Sequence, residues 1–276
     1  MKKETKYYHC YATANDDKFY FVDLKNLLNL KVTCSGLVSL NLYIVISKVR
    51  GINYYDKFFV WLVRNCFKNH PVINLKSVVF KTNIGRDFSS YNSMLNNLKD
   101  ENSNDYLFFQ NRSGIGPLKE NWYLDFINQF ERFENTALVG STVSFLDFPK
   151  RSNRADLPHV QTYAFMTNLY MLNQLEDGFP ARLKKNRKDI ICEGEIGLSQ
   201  FYLKKGYGIS CIEWPDKLIK LNTKAVFFKD PRGLVSANHQ FKHKVCFTQE
   251  TGWAKRKKYI QLLVSFCKKN FHQNSI

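Results

Sequence analysis

The chain has 276 residues, of which 44% are hydrophobic and 15% aromatic, so it can bury a full hydrophobic core. This composition excludes an intrinsically disordered chain. The formal net charge of +17 indicates an anionic partner, and it does not choose among nucleic acid, an anionic membrane surface and a phosphorylated substrate.

Apolar periodicity predicts strands that alternate with helices. In chain order the predicted elements are a strand at 7–13, a helix at 16–30, a strand at 40–46, a helix at 54–68 capped by Asn53, a strand at 78–81, a helix at 87–98, a strand at 106–110, a helix after Pro117, strands at 137–143 and 162–167, helices at 169–175 and 193–205, and a strand at 208–214. This alternation predicts an α/β fold with a mostly parallel sheet flanked by helices.

Two segments interrupt the alternation. A polar loop at 149–158 is long enough to be a lid or an acceptor loop. Beyond about residue 221 the pattern fades, and a basic run at 255–258 precedes apolar residues at helical spacing. We therefore expect a main domain at 1–220 and a basic C-terminal helical appendage at 221–276. A helix at 253–271 would either lie on an anionic membrane or pack against the core.

The cysteine usage and the absence of long apolar runs bear on the cellular compartment. Seven cysteines are scattered without a Cys-x-x-Cys pair, and their odd number argues against a disulfide framework. The N-terminal residues are too polar for a secretory signal, and no run approaches the roughly 18 apolar residues that span a bilayer. We expect a cytoplasmic protein whose membrane contact is peripheral.

Two short polar loops mark the most informative stretch. The turn at 82–87 follows one predicted strand, and the loop at 111–117 follows the next. Ligands of open α/β sheets bind outside the carboxyl ends of the strands. We therefore predict the active site between these loops, with their two strands as neighbours in the sheet.

Two later groups of polar residues add candidates. His159, Gln161 and Tyr163 alternate, so on a strand they would share one face, either towards an acceptor or towards water. Glu193 and Glu195 lie two apart near a predicted helix start, so only one is expected to face the cleft. A carboxylate near a helix N-terminus is also favourable without any catalytic role.

These motifs and their order resemble the GT-A glycosyltransferases, and among them the rhamnan-synthesis-F type of bacterial polysaccharide glycosyltransferases. The four matching motifs, numbered one to four, are Asn83-x-Gly85-Arg86-Asp87 with Tyr91, Phe109-x-Asn111-x-Ser113-x-x-Gly116-Pro117, His159-x-Gln161-Thr162-Tyr163, and Glu195-x-Gly197-Leu198-Ser199 ahead of Gly206-Tyr207. The resemblance covers roughly residues 7–214 in element order, and only these motifs carry identity.

The resemblance implies a GT-A-like, Rossmann-like domain and a hexosyltransferase. Such an enzyme moves a sugar from a nucleotide diphosphate donor to a surface polysaccharide or a lipid-linked glycan, at the inner membrane face. It implies Glu195 as the catalytic base and a role for Asp87, which could alternatively cap a helix. The implied donor-binding residues are Asn83, Gly85, Arg86, Asn111, Arg112 and Ser113, and the implied acceptor-binding residues are His159, Gln161 and Tyr163.

The resemblance departs at the metal motif. GT-A enzymes usually carry an Asp-x-Asp that holds a divalent cation, and the resembled type tends to show Asn-Asp-Ser, whereas this chain has Asn111-Arg112-Ser113. No metal ligand is therefore assigned, and a requirement for Mn or Mg is not expected. Arg112 could supply a fixed positive charge instead, or it could be a solvated loop residue.

Two other functions stay open. The missing acidic pair is also expected in a non-catalytic GT-A-like module of a polysaccharide assembly complex. The charge of +17 would suit a nucleic-acid-binding protein, yet no known nucleic-acid-binding motif is evident, so nucleic acid is not an expected partner.

Overall fold

The computed structural model describes residues 4–98, 102–150, 157–224 and 239–246, together with 260, 261 and 264. The strands are β1 (Tyr7–Ala14), β2 (Leu40–Lys48), β3 (Ile73–Thr82), β4 (Tyr106–Asn111), β5 (Gly114–Ile115), β6 (Thr136–Gly140), β7 (Val143–Ser144), β8 (His159–Val160), β9 (Ala164–Asn168), β10 (Gly208–Cys211) and β11 (Lys242–His243). The helices are α1 (Phe21–Val32), α2 (Tyr54–Phe67), α3 (Arg86–Leu95), α4 (Trp122–Glu131), α5 (Leu169–Asn173), α6 (Arg187–Asp189) and α7 (Gly197–Lys204), with a π-helical segment at Ile190–Ile196 and a 3-10 turn at Lys244–Cys246.

Seven strands form the central sheet, in the order β10-β6-β9-β4-β1-β2-β3. Every neighbouring pair is parallel except the two pairs made by β9, which runs antiparallel to β4 and β6. The predicted α/β fold with a mostly parallel sheet and flanking helices is therefore confirmed.

The strand order corrects one prediction. Strands β3 and β4 are not neighbours, because β1 and β2 lie between them. The turn after β3 nevertheless reaches the end of β4, because α3 packs back against β2 and β1. The two loops that are predicted to form the active site are thus brought together by helix α3 and not by adjacent strands.

Helix α2 forms where its sequence signals place it. The Asn53 side chain accepts from the backbone N–H of Tyr55 and Asp56, and the Asp56 carboxylate accepts from the Asn53 N–H at 2.7 Å. This reciprocal capping box satisfies N–H groups that the helix itself cannot pair. Its buried side packs towards β3, whereas its exposed residues are aromatic or basic.

An aromatic cluster joins the C-terminal part of the chain to the core. Phe241 is fully buried, with its ring centroid 4.9 Å from that of Phe108 and 5.4 Å from that of Trp122. Strand β11 pairs with β5, directly after the loop at the end of β4. The described residues 239–246 therefore pack on the main domain.

Three other sequence predictions meet a different local structure or fall outside the description. Helix α4 begins at Trp122, five residues after Pro117, and the N–H groups of Tyr123 and Leu124 donate to the Ser35 carbonyl. The strand predicted at 137–143 is split into β6 and β7. The predicted helix at 253–271 lies outside the described residues, except for three isolated positions. In the part of the chain that is described, no helix is long and apolar enough to cross a membrane.

Candidate active site

Asp87 and Asn111 meet at the carboxyl end of β4. Asn111 Nδ2 donates to Asp87 Oδ2 at 2.7 Å, and Asn111 Oδ1 accepts from the Ser113 N–H at 2.8 Å. Asp87 does not cap α3, because the N-cap residue is Gly85 and no side chain caps that end. The capping alternative is therefore wrong, and the carboxylate of Asp87 is instead committed to the end of β4.

The turn before Asp87 requires glycine at one position. Gly85 has φ of +69°, and a Cβ there would collide with the Arg182 carbonyl oxygen. Its N–H donates to the Lys184 carbonyl at 2.8 Å. Asn83 and Arg86 stand exposed on either side of it. The turn is thus fixed by a neighbouring loop, with two polar side chains directed to solvent.

The charge of Asp87 is set by burial and by nearby cations. Burial raises the pKa of its carboxyl, while the Asn111 hydrogen bond and the charges of Lys81, Arg86 and Arg112 lower it. Burial also lowers the pKa of Lys81 to about 8, against the opposing effect of Asp87. Sequence reasoning missed Lys81, although a lysine at a strand end beside a predicted ligand loop was a usable signal.

Glu193 and Glu195 both lie in the π-helical segment, and they differ in exposure and in their contacts. Glu193 is exposed and pairs with Lys184 at 2.9 Å. Glu195 is half-buried and lies close enough to Tyr91 to raise the pKa of that phenol, after burial, Asp87 and Cys10. A π-helical turn often marks a functional site. Of the two carboxylates, Glu195 is the one that acts on the buried Tyr91, which Asp87 also affects.

Motifs one and two donate hydrogen bonds to backbone carbonyls of motif three. The Asn111 N–H donates to the Tyr163 carbonyl at 3.1 Å. The Tyr91 hydroxyl, fully buried, donates to the Thr162 carbonyl at 3.4 Å. Because these bonds span 52 and 71 residues of sequence, only the folded chain brings the three motifs together.

Motif four closes the same cluster. The Ser199 hydroxyl accepts from the Val160 N–H at 3.0 Å. Gly194, next to motif four, packs so closely on Phe88, next to motif one, that a Cβ there would lie 2.6 Å from the Phe88 ring. The four motifs therefore form one connected cluster.

Arg112 is neither a solvated residue nor a free cation. Its guanidinium forms an ion pair with Asp16 and lies 3.9 Å from the Asp17 carboxylate and 3.6 Å from that of Asp23. Asp23 is fully buried and also accepts from the Tyr11 hydroxyl at 2.9 Å. Burial disfavours the charged guanidinium, yet Asp23 and Asp16 raise the pKa of Arg112 above its ordinary value. Arg112 thus ties the loop after β4 to the segment after β1.

The residues at this position do not fit a divalent cation. Asn111, Arg112 and Ser113 offer an amide, a guanidinium and a hydroxyl, and the guanidinium would repel a second cation. Among the residues that the structure describes, no group of three or more His, Cys, Asp or Glu side chains is arranged to hold a metal ion. We assign no step to a metal.

The three predicted acceptor residues do not share a strand face. His159 lies in β8, whereas Gln161 and Tyr163 lie in the connection to β9. All three are buried: His159 Nδ1 donates to the Leu157 carbonyl at 2.7 Å, and the Thr142 hydroxyl contacts Gln161 Oε1 at 2.7 Å and the Tyr163 hydroxyl at 3.2 Å. They support the wall of the site, and their role towards an acceptor stays a prediction.

The segment 239–246 covers the loop after β4. The Lys244 N–H donates to the Ser113 carbonyl at 2.7 Å, and the His243 ring lies 5.3 Å from the Tyr163 ring. Sequence reasoning missed this contact because β5 and β11 have two residues each, which is too short for a periodic signal.

Replacing Asn111 by alanine is expected to lower the free energy of unfolding by about 1.5 to 3 kcal/mol, because the partly buried carboxyl of Asp87 loses its hydrogen-bond donor. Urea denaturation measures this, and the double variant with Asp87→Asn should show a coupling energy above about 0.5 kcal/mol. Asn97→Ala is the matched control, since that exposed amide donates to the Ser93 carbonyl at 3.0 Å. Additive effects of Asn111→Ala and Asp87→Asn would contradict the contact.

Comparison with known proteins does not define the reaction. No protein-family model matches the sequence, and no curated protein is similar to it. The fold is similar to that of a mannosyltransferase from Pyrobaculum calidifontis, solved in complex with GDP-Man and Mn2+, at 12% identity and a TM-score of 0.48 over 82% of this chain and 59% of that one. It is also similar to the galactosyltransferase LgtC, in complex with donor and acceptor sugar analogues, at 12% identity and a TM-score of 0.47 over 94% and 95% of the two chains.

A third similar structure is not named as a glycosyltransferase. A 4-diphosphocytidyl-2C-methyl-D-erythritol synthase matches at 11% identity and a TM-score of 0.44, over 84% of this chain and 96% of its own. The chain spans about three fifths of the mannosyltransferase and of S. aureus TarS residues 1–349. At such identities and TM-scores these likenesses carry no argument about the reaction, which has to be argued from the site.

Proposed function

We propose that the chain is a glycosyltransferase that moves a hexose from a nucleotide diphosphate donor to a surface polysaccharide or a lipid-linked glycan, at the inner face of the membrane. The observation that carries the proposal is the convergence of the four sequence motifs into one hydrogen-bonded cluster at the carboxyl end of β4. Ligands of open α/β sheets bind outside the carboxyl ends of the strands, and this cluster lies at that edge.

The donor is proposed to bind between the turn at 82–87 and the loop at 111–116. Departure of a nucleoside diphosphate requires cations or N–H donors around the leaving oxygens. Lys81 and Arg86 lie beside Asp87 and supply positive charge at this place. Much of the charge of Arg112 is neutralised by its carboxylate partners, so its part in donor binding is to hold the loop as well as to attract phosphate.

Glu195 is proposed as the base that removes the proton from the acceptor hydroxyl. Transfer with inversion requires such a group, and a half-buried carboxylate near Tyr91, the buried phenol that Asp87 also affects, suits it. Asp87, held by Asn111, is placed to accept a hydrogen bond from a sugar or ribose hydroxyl of the donor.

A thermal-shift screen of nucleoside diphosphates and nucleotide sugars, each with and without Mn2+ or Mg2+, tests the proposal. A ligand that binds the native state at 100 times its dissociation constant stabilises it by about 2.7 kcal/mol, so one nucleotide class should raise the melting temperature clearly. The same shift in melting temperature should be reduced in Asp87→Asn. It should be unchanged in Lys204→Gln, because this exposed lysine ends α7, ahead of the edge strand β10. If no nucleotide shifts the melting temperature, the proposed donor site is wrong.

One observation favours a second candidate, a non-catalytic GT-A-like module of a polysaccharide assembly complex. A guanidinium already paired with carboxylates stands where the resembled enzymes carry an acidic metal motif. Donor binding in the screen, followed by no release of nucleoside diphosphate with any glycan acceptor, would favour this candidate over the enzyme.

A further inference from the structure

The exposed side of α2 carries aromatic and basic side chains and nothing else. The exposed residues at the helix and its C-cap, which we call the α2 face, are Tyr54, Lys57, Trp61, Arg64 and Lys68. With 3.6 residues per turn they fall within an arc of about 80°. Tyr54 is 74% exposed and Trp61 is 56% exposed. Large aromatic side chains left in water on one stripe indicate a surface that is covered by a partner.

The charge of the chain segment that contains the α2 face is one-sided. From residue 24 to residue 86 the sequence has ten lysines and arginines and a single carboxylate, Asp56. Asp56 is fully buried and pairs with Arg50 at 2.8 Å, so it contributes no exposed negative charge. A helix that only faces water usually mixes charges of both signs at positions i and i+4. This face therefore suits an anionic partner.

A basic cleft continues the face at its C-terminal end. The cleft has a volume of about 440 Å3 and lies between the last turns of α2 and the first half of β3. Arg64, Lys68 and Lys76 are among its lining residues, with His70. Its size and its cations would accommodate a phosphate headgroup.

Apolar side chains continue the face at the other end. Val49 is 50% exposed and Ile52 is 45% exposed in the connection that leads into α2. Phe58 and Trp61 stack on each other with ring centroids 5.7 Å apart, which covers one face of the Trp61 ring. A convex helix with Trp and Tyr beside Lys and Arg is typical of a surface that lies in the headgroup region of a membrane.

We infer that the α2 face binds the anionic headgroup surface of a phospholipid membrane. The basic side chains reach the phosphates, while Tyr54 and Trp61 lie at the level of the headgroups. Helix α2 starts after the carboxyl end of β2, so one end of this face lies on the side of the sheet where the candidate active site opens. The inference goes beyond sugar transfer and does not depend on it, because a chain that transfers nothing can still bind vesicles.

Sedimentation with vesicles tests the α2 face against a matched control. The full chain is compared with Lys57→Gln/Arg64→Gln/Lys68→Gln and with Lys204→Gln/Lys205→Gln/Lys220→Gln, whose lysines are exposed at the β10 end of the sheet. Both variants lose three positive charges. On phosphatidylglycerol vesicles at low salt, each lost contact should weaken binding about fivefold, so the α2 variant should bind on the order of 100-fold more weakly. The control variant should change by less than about threefold, and pure phosphatidylcholine vesicles should bind no variant.

Brominated lipids test the position of one side chain. They should quench the tryptophan fluorescence of the bound chain, and the quenching should fall in Trp61→Phe while the melting temperature is unchanged.

The inference is overturned if the full chain stays in the supernatant with phosphatidylglycerol, or if both triple variants lose binding equally. It is also overturned if short duplex DNA competes the chain off vesicles through the same three residues. Should the α2 triple variant fail to fold, Lys57→Gln and Trp61→Ala, each at one exposed position, decide the matter.

Discussion

Replacing Glu195 by glutamine is expected to lower the rate of sugar transfer by about 10² to 10⁴-fold while leaving donor affinity nearly unchanged. A general base acts on the proton of the acceptor hydroxyl in the transition state and contributes little to ground-state binding. Glutamine keeps the size of the half-buried side chain in the π-helical segment, so the packing of Gly194 on Phe88 should be preserved. The measurement is the release of nucleoside diphosphate from the donor found by thermal shift, together with donor affinity by calorimetry.

Glu193→Gln is the matched control for this experiment. Glu193 lies two residues away in the same π-helical segment, yet it is exposed and paired with Lys184. We expect that variant to keep the rate of transfer within about threefold, because it loses only a surface ion pair. Full activity in Glu195→Gln would move the role of the base to Asp87.

The parts of the fold that sequence predicted are those with local signals. Helix α2 was predicted at 54–68 with Asn53 as its cap and is found at Tyr54–Phe67, because the capping box and the buried apolar stripe are both written within a few residues. The strand order could not be read in this way. Whether β3 lies beside β4 or at the edge depends on contacts between residues far apart, and the alternation of strands and helices fits either arrangement.

In the candidate site, too, local motifs were predictable and contacts between distant residues were not. Motif identity singled out Asp87 and Asn111, and the structure places them 2.7 Å apart. The partners of Arg112 were not predictable, because Asp16 lies 96 residues away and meets it only where β1 and β4 pair. Lys81 was missed because it is a single residue outside the motifs. The segment 239–246 was missed because its strand has only two residues, which is too short for a periodic signal.

Replacing Arg112 by alanine is expected to destabilise the fold by about 2 to 4 kcal/mol at neutral pH. The guanidinium is the cation beside the fully buried carboxylate of Asp23, which would be left with an uncompensated negative charge. The expected value lies below that of a fully buried pair, because the side chain of Arg112 is 20% exposed and that of Asp16 is 54% exposed.

This destabilisation should shrink as the pH falls. Burial raises the pKa of Asp23 above its ordinary value of 3.8, and the charge of Arg112 opposes that rise, so the variant raises the pKa further. A carboxyl with a higher pKa in the folded state than in the unfolded state destabilises the fold above its folded pKa. That destabilisation disappears as the pH approaches the unfolded value. In urea denaturation, the free energy of unfolding of the variant should therefore lie well below that of the original chain at neutral pH. At about pH 4 the two values should be close.

Arg132→Ala separates this effect from the loss of an ordinary surface ion pair. Arg132 pairs with Asp216, and their side chains are 47% and 79% exposed, so its removal should change stability by less than about 1 kcal/mol with little pH dependence. Arg112→Ala should destabilise the fold less in an Asp23→Asn background than in the original chain, because the buried charge is already gone.

If Arg112→Ala instead destabilises the fold as little as Arg132→Ala does, the guanidinium does not balance the buried carboxylate and its charge is available to the donor. Donor affinity should then fall by about 1.5 to 3 kcal/mol in calorimetry, the value of a charge-assisted hydrogen bond to diphosphate.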